Sequence, residues 1–128
     1  MKYYLAGPMQ GIPAYNFPAF KEARERLRLN KYEVHCPAEE DETNGFDTSA
    51  PLPADFLPKK LAECFQKVLD CDAVIVLPGW AKSEGAKAEV LIAVETGKPI
   101  FSYHHHRPEL LEELHNIKIV TRAEMISQ

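Results

Sequence analysis

Long apolar runs are missing from this chain. Nothing in its 128 residues approaches the roughly 20 consecutive apolar positions that cross a bilayer, so no membrane partner is expected. The opening residues form a short strand-like run without a signal-peptide layout, and the expected location is cytoplasmic. Basic charge is also scarce: 15 Lys and Arg stand against 19 Asp and Glu, for a formal net charge of −4, with no basic stripe. That argues against a polymeric nucleic acid, whose binding rests on neutralised phosphates. Cysteine is limited to Cys36, Cys64 and Cys71, an odd set with no CxxC spacing. Such a set speaks against structural zinc or a disulfide framework and reads as buried free thiols. The chain also lacks the GxGxxG fingerprint and the P-loop's Gly-Lys-Ser/Thr. It has no internal repeat and no break to a second domain, so residues 1–128 read as one domain around one core.

What is present alternates strand and helix patterns. Lys2–Ala6 reads as a first strand, running into the Gly- and Pro-rich turn at Gly7–Pro13. Residues 16–29 follow with helical spacing: Asn16 is a candidate N-cap, and Phe17, Phe20, Ala23 and Leu27 form the inner face. Glu22, Arg24 and their charged neighbours are expected in water. Tyr32–Cys36 is a second strand. Residues 37–53 carry no periodicity and hold the acidic run Glu39–Glu42, either a solvated loop or a lid over a site. Leu57–Leu69 is a second helix, with Leu61, Cys64 or Phe65, Val68 and Leu69 turned inward. Ala73–Leu77 is an unbroken apolar run suited to a strand covered on both faces. A turn at Pro78–Lys82 leads into a helix over about 83–96, with Gly97 at its C-terminal stop. Pro99–Ser102 reads as a fourth strand, Glu109–His115 as a short helix, Ile117–Val120 as a fifth strand, and Thr121–Gln128 as one more turn. The expected fold is a three-layer, Rossmann- or flavodoxin-like α/β domain whose mainly parallel five-stranded sheet has the order 2-1-3-4-5. In that order, the turns after the first and third strands form two sides of one crevice.

The chemistry gathers at those turns. Gly7-Pro-Met-Gln-Gly11 either presents backbone N–H groups to an anion or is a plain turn. Ser83 sits where a helix N-cap belongs. Its hydroxyl either satisfies the helix's own N–H groups or, with the N–H groups of Gly85 and Ala86, receives a phosphate. Gly85 costs roughly 1 kcal/mol against Ala inside a helix, which close approach of a ligand or another backbone would offset. Ala86, Val90, Ala93 and Gly97 form a stripe toward the sheet, with Glu89 at its buried margin and Lys87 well away. A carboxylate there is either a structural ion pair or a functional acid or nucleophile. Tyr3 and Tyr4 alternate faces, so one nears the crevice and the other packs. Trp80 is a hydrophobic plug or a stacking surface. His104-His-His106 cannot converge on one metal ion from a regular element and reads as solvated loop; His35 reads as core edge.

Tyr4-Leu-Ala-Gly-Pro-Met9, Asn16-Phe-Pro-Ala-Phe20, Cys36-Pro-Ala-Glu39, Cys71-Asp-Ala-Val74, Leu77-Pro-Gly-Trp80 and Ser83-x-Gly-Ala-x-x-Glu89 together resemble the DUF4406 group. That group is similar to nucleoside 2-deoxyribosyltransferases and 2′-deoxynucleoside 5′-phosphate N-hydrolases, and the resemblance runs to about residue 102. It implies that Glu89 is the glutamate attacking the sugar's anomeric carbon and that Tyr4 holds this carboxylate. It further implies that Gly7, Met9, Gln10 and Gly11 wrap the sugar or phosphate, that Ser83 contacts a 5′-phosphate, and that Asp72 is structural. The implied substrate is a nucleoside or nucleoside 5′-monophosphate, cleaved by hydrolysis or passed to another base. No cofactor or metal is implied, and the implied assembly is a homodimer or higher homo-oligomer.

The sequence departs from that pattern at three places. Cys64, preceded by Glu63, occupies the place of an Asp that helps protonate the leaving base. Pro8 and Gln10 stand where the phosphate hydrolases use Ser and Arg. Glu63, Asp55 or an acid in the 37–53 loop is left as the substitute acid. The alternative function is a nucleotide-binding or regulatory module that keeps the pocket with weak or lost catalysis.

Overall fold

The computed structural model describes residues 1–9, 13–38, 56–104, 109–115 and 117. Five strands form one sheet: β1 (Lys2–Ala6), β2 (Glu33–His35), β3 (Ala73–Val76), β4 (Ile100–Tyr103) and β5 (Leu111–Leu114). Their order is β2-β1-β3-β4-β5, as the alternating pattern implied. The pairings β1–β2, β1–β3 and β3–β4 are parallel, and β4–β5 is antiparallel. Three helices connect them among the described residues: α1 (Phe17–Leu29), α2 (Phe56–Asp70) and α3 (Glu84–Glu95).

Alternation along the strands divides the core into two layers. Leu5, Val34, Ile75 and Tyr103 meet Phe17, Phe20, Ala23 and Leu27 of α1 on one face. Tyr4, Ala6, Val74, Val76 and Ile100 meet Cys64 and Val68 of α2 and Val90 and Ala93 of α3 on the other. β3 carries apolar side chains to both layers and is buried throughout, as a central parallel strand requires. Asp72 fixes its start: its backbone N–H donates to Lys2 O at 2.7 Å, and its carboxylate accepts from Lys2 N–H at 2.8 Å. Asp72 therefore acts as a staple between the first residues of β1 and β3. All three cysteines are buried thiols outside any disulfide.

The largest difference from the sequence reading lies at the C-terminal edge. Glu109–His115 is not a helix, and the fifth strand is Leu111–Leu114 rather than Ile117–Val120. Leu111 and Leu114 have the three-residue spacing of a helix face, which invites the helical reading. In the fold, Leu111 packs against the α1-side cluster and Leu114 against the opposite one, as two sides of one strand. The segment between Tyr103 and Leu111 is too short for a crossover, which needs a dozen or more residues, so β5 returns antiparallel. Ile117 follows outside any strand, while residues 118–120 and the tail lie outside the described residues.

The start of α1 differs as well. Asn16 has φ 61° and no side-chain capping bond, and it closes a 3₁₀ turn at Pro13–Asn16. Its amide instead donates to Pro8 O at 2.9 Å. Asn tolerates the left-handed region because its short amide bonds locally, and here that bond ties the turn after β1 to the first helix. Several surface assignments also shift. Glu22 and Arg24 are half-buried, Leu69 is exposed, and Gly97, at φ 75°, lies outside the buried stripe of α3.

Candidate functional site

The two turns that the fold predicts as neighbours do meet. Gly79 has φ 86°, and a Cβ placed on it would lie 3.4 Å from Cγ of Pro8. Gly7 is buried against Leu77: an added Cβ would stand 3.0 Å from Leu77 Cβ and 3.2 Å from its Cδ1. Side-chain atoms rarely approach so closely, so glycine lets the end of β1 lie against the end of β3 without displacing Leu77. The Leu77 N–H donates to Ala6 O at 2.8 Å and extends the ladder into the turn. Met9 leans on the α1-side cluster. Gln10 and Gly11 lie outside the described residues.

Beyond the β3 turn, Trp80–Lys82 forms a short 3₁₀ turn, and Ser83 caps α3. Ser83 Oγ accepts from Ala86 N–H at 3.2 Å, the long end of the hydrogen-bond range. The capping reading is thus realised in the structure. The hydroxyl proton is a separate donor and is not used by that bond. Gly85 is half-buried in the first turn of the helix. Trp80 packs partly against the α2/α3-side cluster, as a plug does. Lys87, expected to point away, has a side chain only 13% exposed and pairs with Glu84 at 2.9 Å.

Glu89 is the buried charged residue of the described core, at 7% exposure. It shares the inner face of α3 with Ala86, Val90 and Ala93, so the helical count placed it correctly. Its partner across the interface is Tyr4, which is fully buried in mid-β1. Burial first, then the negative charge of Glu89, then Cys64, hold the Tyr4 phenol neutral, with its pKa well above 10. A neutral phenol beside a carboxylate is a donor that can aim it without neutralising it. Tyr3, on the opposite face, packs edge-on to Tyr32 and Phe101.

Cys64 thus stands inside the site, against Tyr4, while Glu63 beside it in sequence is exposed. Asp55 and most of the 37–53 loop fall outside the described residues. One residue was passed over by sequence reasoning. His35 is paired in register with Tyr4 across β1 and β2, and the two rings stack with centroids 5.6 Å apart and planes 19° from parallel. Periodicity marked His35 only as core edge, because strand register, which sets the two rings side by side, is not written in local spacing. His104 Nε2 lies 3.6 Å from a Glu112 carboxylate oxygen, and His105 and His106 are outside the described residues. Among the described residues, no three His, Cys, Asp or Glu side chains converge as a metal site, and no helix is long and apolar enough to cross a membrane.

The chain belongs to the DUF4406 family, described as a domain of unknown function, whose model matches residues 1–102. A search of curated proteins returns no match. The matched span takes in β1 through most of β4, and with them Tyr4, His35, Cys64, Ser83 and Glu89.

Proposed function

We infer that this protein cleaves the N-glycosidic bond of a nucleoside or nucleoside 5′-monophosphate, releasing the base to water or exchanging it for another. The carrying observation is a carboxylate, Glu89, buried at 7% exposure against a neutral phenol on the face of the sheet that α3 covers. A desolvated carboxylate in that setting suits an electron-poor sugar carbon, because cleavage passes through an oxocarbenium-like state. In this reading, Glu89 attacks the anomeric carbon as the carbon–nitrogen bond breaks. The electron pair leaves with the base, which takes up a proton. Water or a second base then opens the glycosyl ester and restores the carboxylate. Tyr4 aims Glu89. Ser83 and the 7–11 turn hold the sugar or its phosphate. The similarity of the family to nucleoside 2-deoxyribosyltransferases and to deoxynucleoside 5′-phosphate N-hydrolases supports this reading, and extends it to a homo-oligomeric assembly.

One observation favours a second reading, a nucleotide-binding module with weak chemistry. The place of the leaving-group acid is taken by Cys64, a buried thiol, and the adjacent Glu63 faces solvent. A general acid contributes on the order of 10²–10⁴-fold in rate, so its loss slows turnover without removing the pocket. The deciding experiment incubates the protein with a panel of nucleosides, deoxynucleosides and their 5′-monophosphates and follows free base by chromatography. Base release that disappears in Glu89→Ala supports the enzyme. Binding without release supports the module. Release that survives Glu89→Ala overturns the assigned mechanism.

A further inference from the structure

Asn16 forgoes a helix cap in order to hold Pro8. It stands at the N-cap position of α1, where its side chain would ordinarily serve the first turn, yet it makes no capping bond. Two successive residues lie in the left-handed region there, Tyr15 at φ 50° and Asn16 at φ 61°. Asn tolerates that region, but a bulky L-residue such as Tyr15 enters it only under constraint. Both departures serve one bond: Asn16 Nδ2 donates to Pro8 O at 2.9 Å. Backbone strain of this kind collects at functional sites.

Pro8 lies in the turn after β1. There the sheet order reverses between β1 and β3, and a crevice is expected outside the carboxyl ends of the strands. The proline ring locks its own φ, and it sits against Gly79, since a Cβ added to Gly79 would stand 3.4 Å from Pro8 Cγ. The soft torsion left at Pro8 is ψ, which swings the Pro8–Met9 peptide. Asn16 restrains that swing by holding the carbonyl. In a planar trans peptide the C=O and N–H point to opposite sides, so the Met9 N–H is held pointing away from Asn16. Asn16 leads into α1, which covers the Leu5 and Ile75 face, while α3, with Ser83 at its start, covers the other. Among the described residues no acceptor takes the Met9 N–H.

We propose that Asn16 is a positioning residue for the ligand: by fixing the Pro8–Met9 peptide, it presents the Met9 N–H as a rigid donor to a ligand oxygen in the crevice between the β1 and β3 turns. That the oxygen belongs to a sugar or its 5′-phosphate rests on the glycosidase reading; the fixed peptide does not. The role calls for an amide donor on a left-handed residue. Asn16→Gly keeps the backbone and removes the donor. Asn16→Asp keeps the shape and sets an acceptor against the carbonyl.

The chain's methionines are Met1, Met9 and Met125, so ¹⁵N-methionine labelling leaves two backbone amides in view, told apart by Met125→Leu. The Met9 amide should move on titration with 2-deoxyribose 5-phosphate. Parallel titrations with 2-deoxyribose and with inorganic phosphate show which oxygen it meets. Half-saturation should rise by about tenfold in Asn16→Gly and in Asn16→Asp, the scale of one lost hydrogen bond. A Met9 amide that none of the three compounds moves, or that saturates at the same concentration in all three proteins, overturns the proposal. Kinetics on a substrate that releases base provide a second readout. Asn16→Gly should raise KM by about tenfold and leave kcat within about twofold, as loss of uniform binding does. A loss confined to kcat, or a lower Tm with KM unchanged, is the result of a purely structural tie and also overturns it. Should no substrate release base while deoxyribose 5-phosphate still moves Met9, and binds less tightly to Asn16→Gly, the glycosidase reading fails and the role of Asn16 stands.

Discussion

Replacing Glu89 by Gln should stabilise the protein while removing its chemistry. Glu89 is 7% exposed, and the neighbour set against it is a phenol that stays neutral. Burying a polar group without full compensation costs about 1–3 kcal/mol in mutational data. Gln keeps the shape and an oxygen acceptor while losing the charge, so relief of part of that desolvation leaves a gain of about 1 kcal/mol. For a domain of this length, that raises Tm by roughly 3–5 °C, read by differential scanning calorimetry and by urea unfolding. On the proposed reading, base release should fall by at least about 10³-fold, because the substituted group acts on the reacting carbon. A structural ion pair predicts the opposite sign. Removing one partner would strand a buried cation and cost roughly 3–5 kcal/mol. A fall in Tm of ten degrees or more would refute the functional assignment of Glu89, whatever the activity did.

Tyr103 provides a pH test. Its hydroxyl donates to both carboxylate oxygens of Glu22 at 3.1–3.2 Å, and burial, then the Glu22 charge, push its pKa up to about 12. A phenol raised from 10 favours the folded state fully below pH 10 and loses that contribution as pH rises through 12. With Glu22 half-exposed, the contribution is discounted to about 1–2 kcal/mol. Tyr103→Phe should therefore flatten the fall in stability between pH 10 and 12, measured by urea midpoints. Ser83→Ala removes the cap of α3 and should cost about 1 kcal/mol in thermal unfolding. If Ser83 also holds a phosphate, KM should rise for monophosphates and not for nucleosides. Gly7→Ala would bring a methyl group to 3.0 Å from Leu77 Cβ and should destabilise by roughly 1–3 kcal/mol in urea.

The parts legible in the sequence were those in which one local signal had one structural outcome. The apolar run at Ala73–Leu77 suited a doubly covered strand and forms one, and the stripe at Ala86, Val90 and Ala93 put Glu89 at a buried margin. Ser83 before a helix gave its cap. The misreadings came where one pattern serves two structures. Leu111 and Leu114 fit a helix face or two faces of an edge strand, and the short return from β4 decides between them. Asn16 fits a cap or a left-handed turn, and Pro8 O, eight residues earlier, supplies the bond that chooses the turn. His35 was missed because its meaning depends on pairing with Tyr4, thirty-one residues away. Cys64, by contrast, was marked from the sequence as the odd residue, and it does reach Tyr4.

The sheet order also governs how the chain must be made. Of the five strands of this sheet β1 is synthesised first, yet it lies in the interior, with β2 on one side and β3 on the other. The β2 side can close early, behind a single helix. The other side waits for Ala73–Val76, and the staple between Lys2 and Asp72 spans 70 positions. Until then, a growing chain carries Tyr4-Leu-Ala6 with an open edge, the kind of edge that recruits foreign strands. Closing so long a loop costs little more than closing a short one, because loop entropy grows only logarithmically. The delay is thus one of synthesis rather than of free energy. Glu89 emerges still later, so translation completes the Tyr4–Glu89 pair only after the sheet's centre can form.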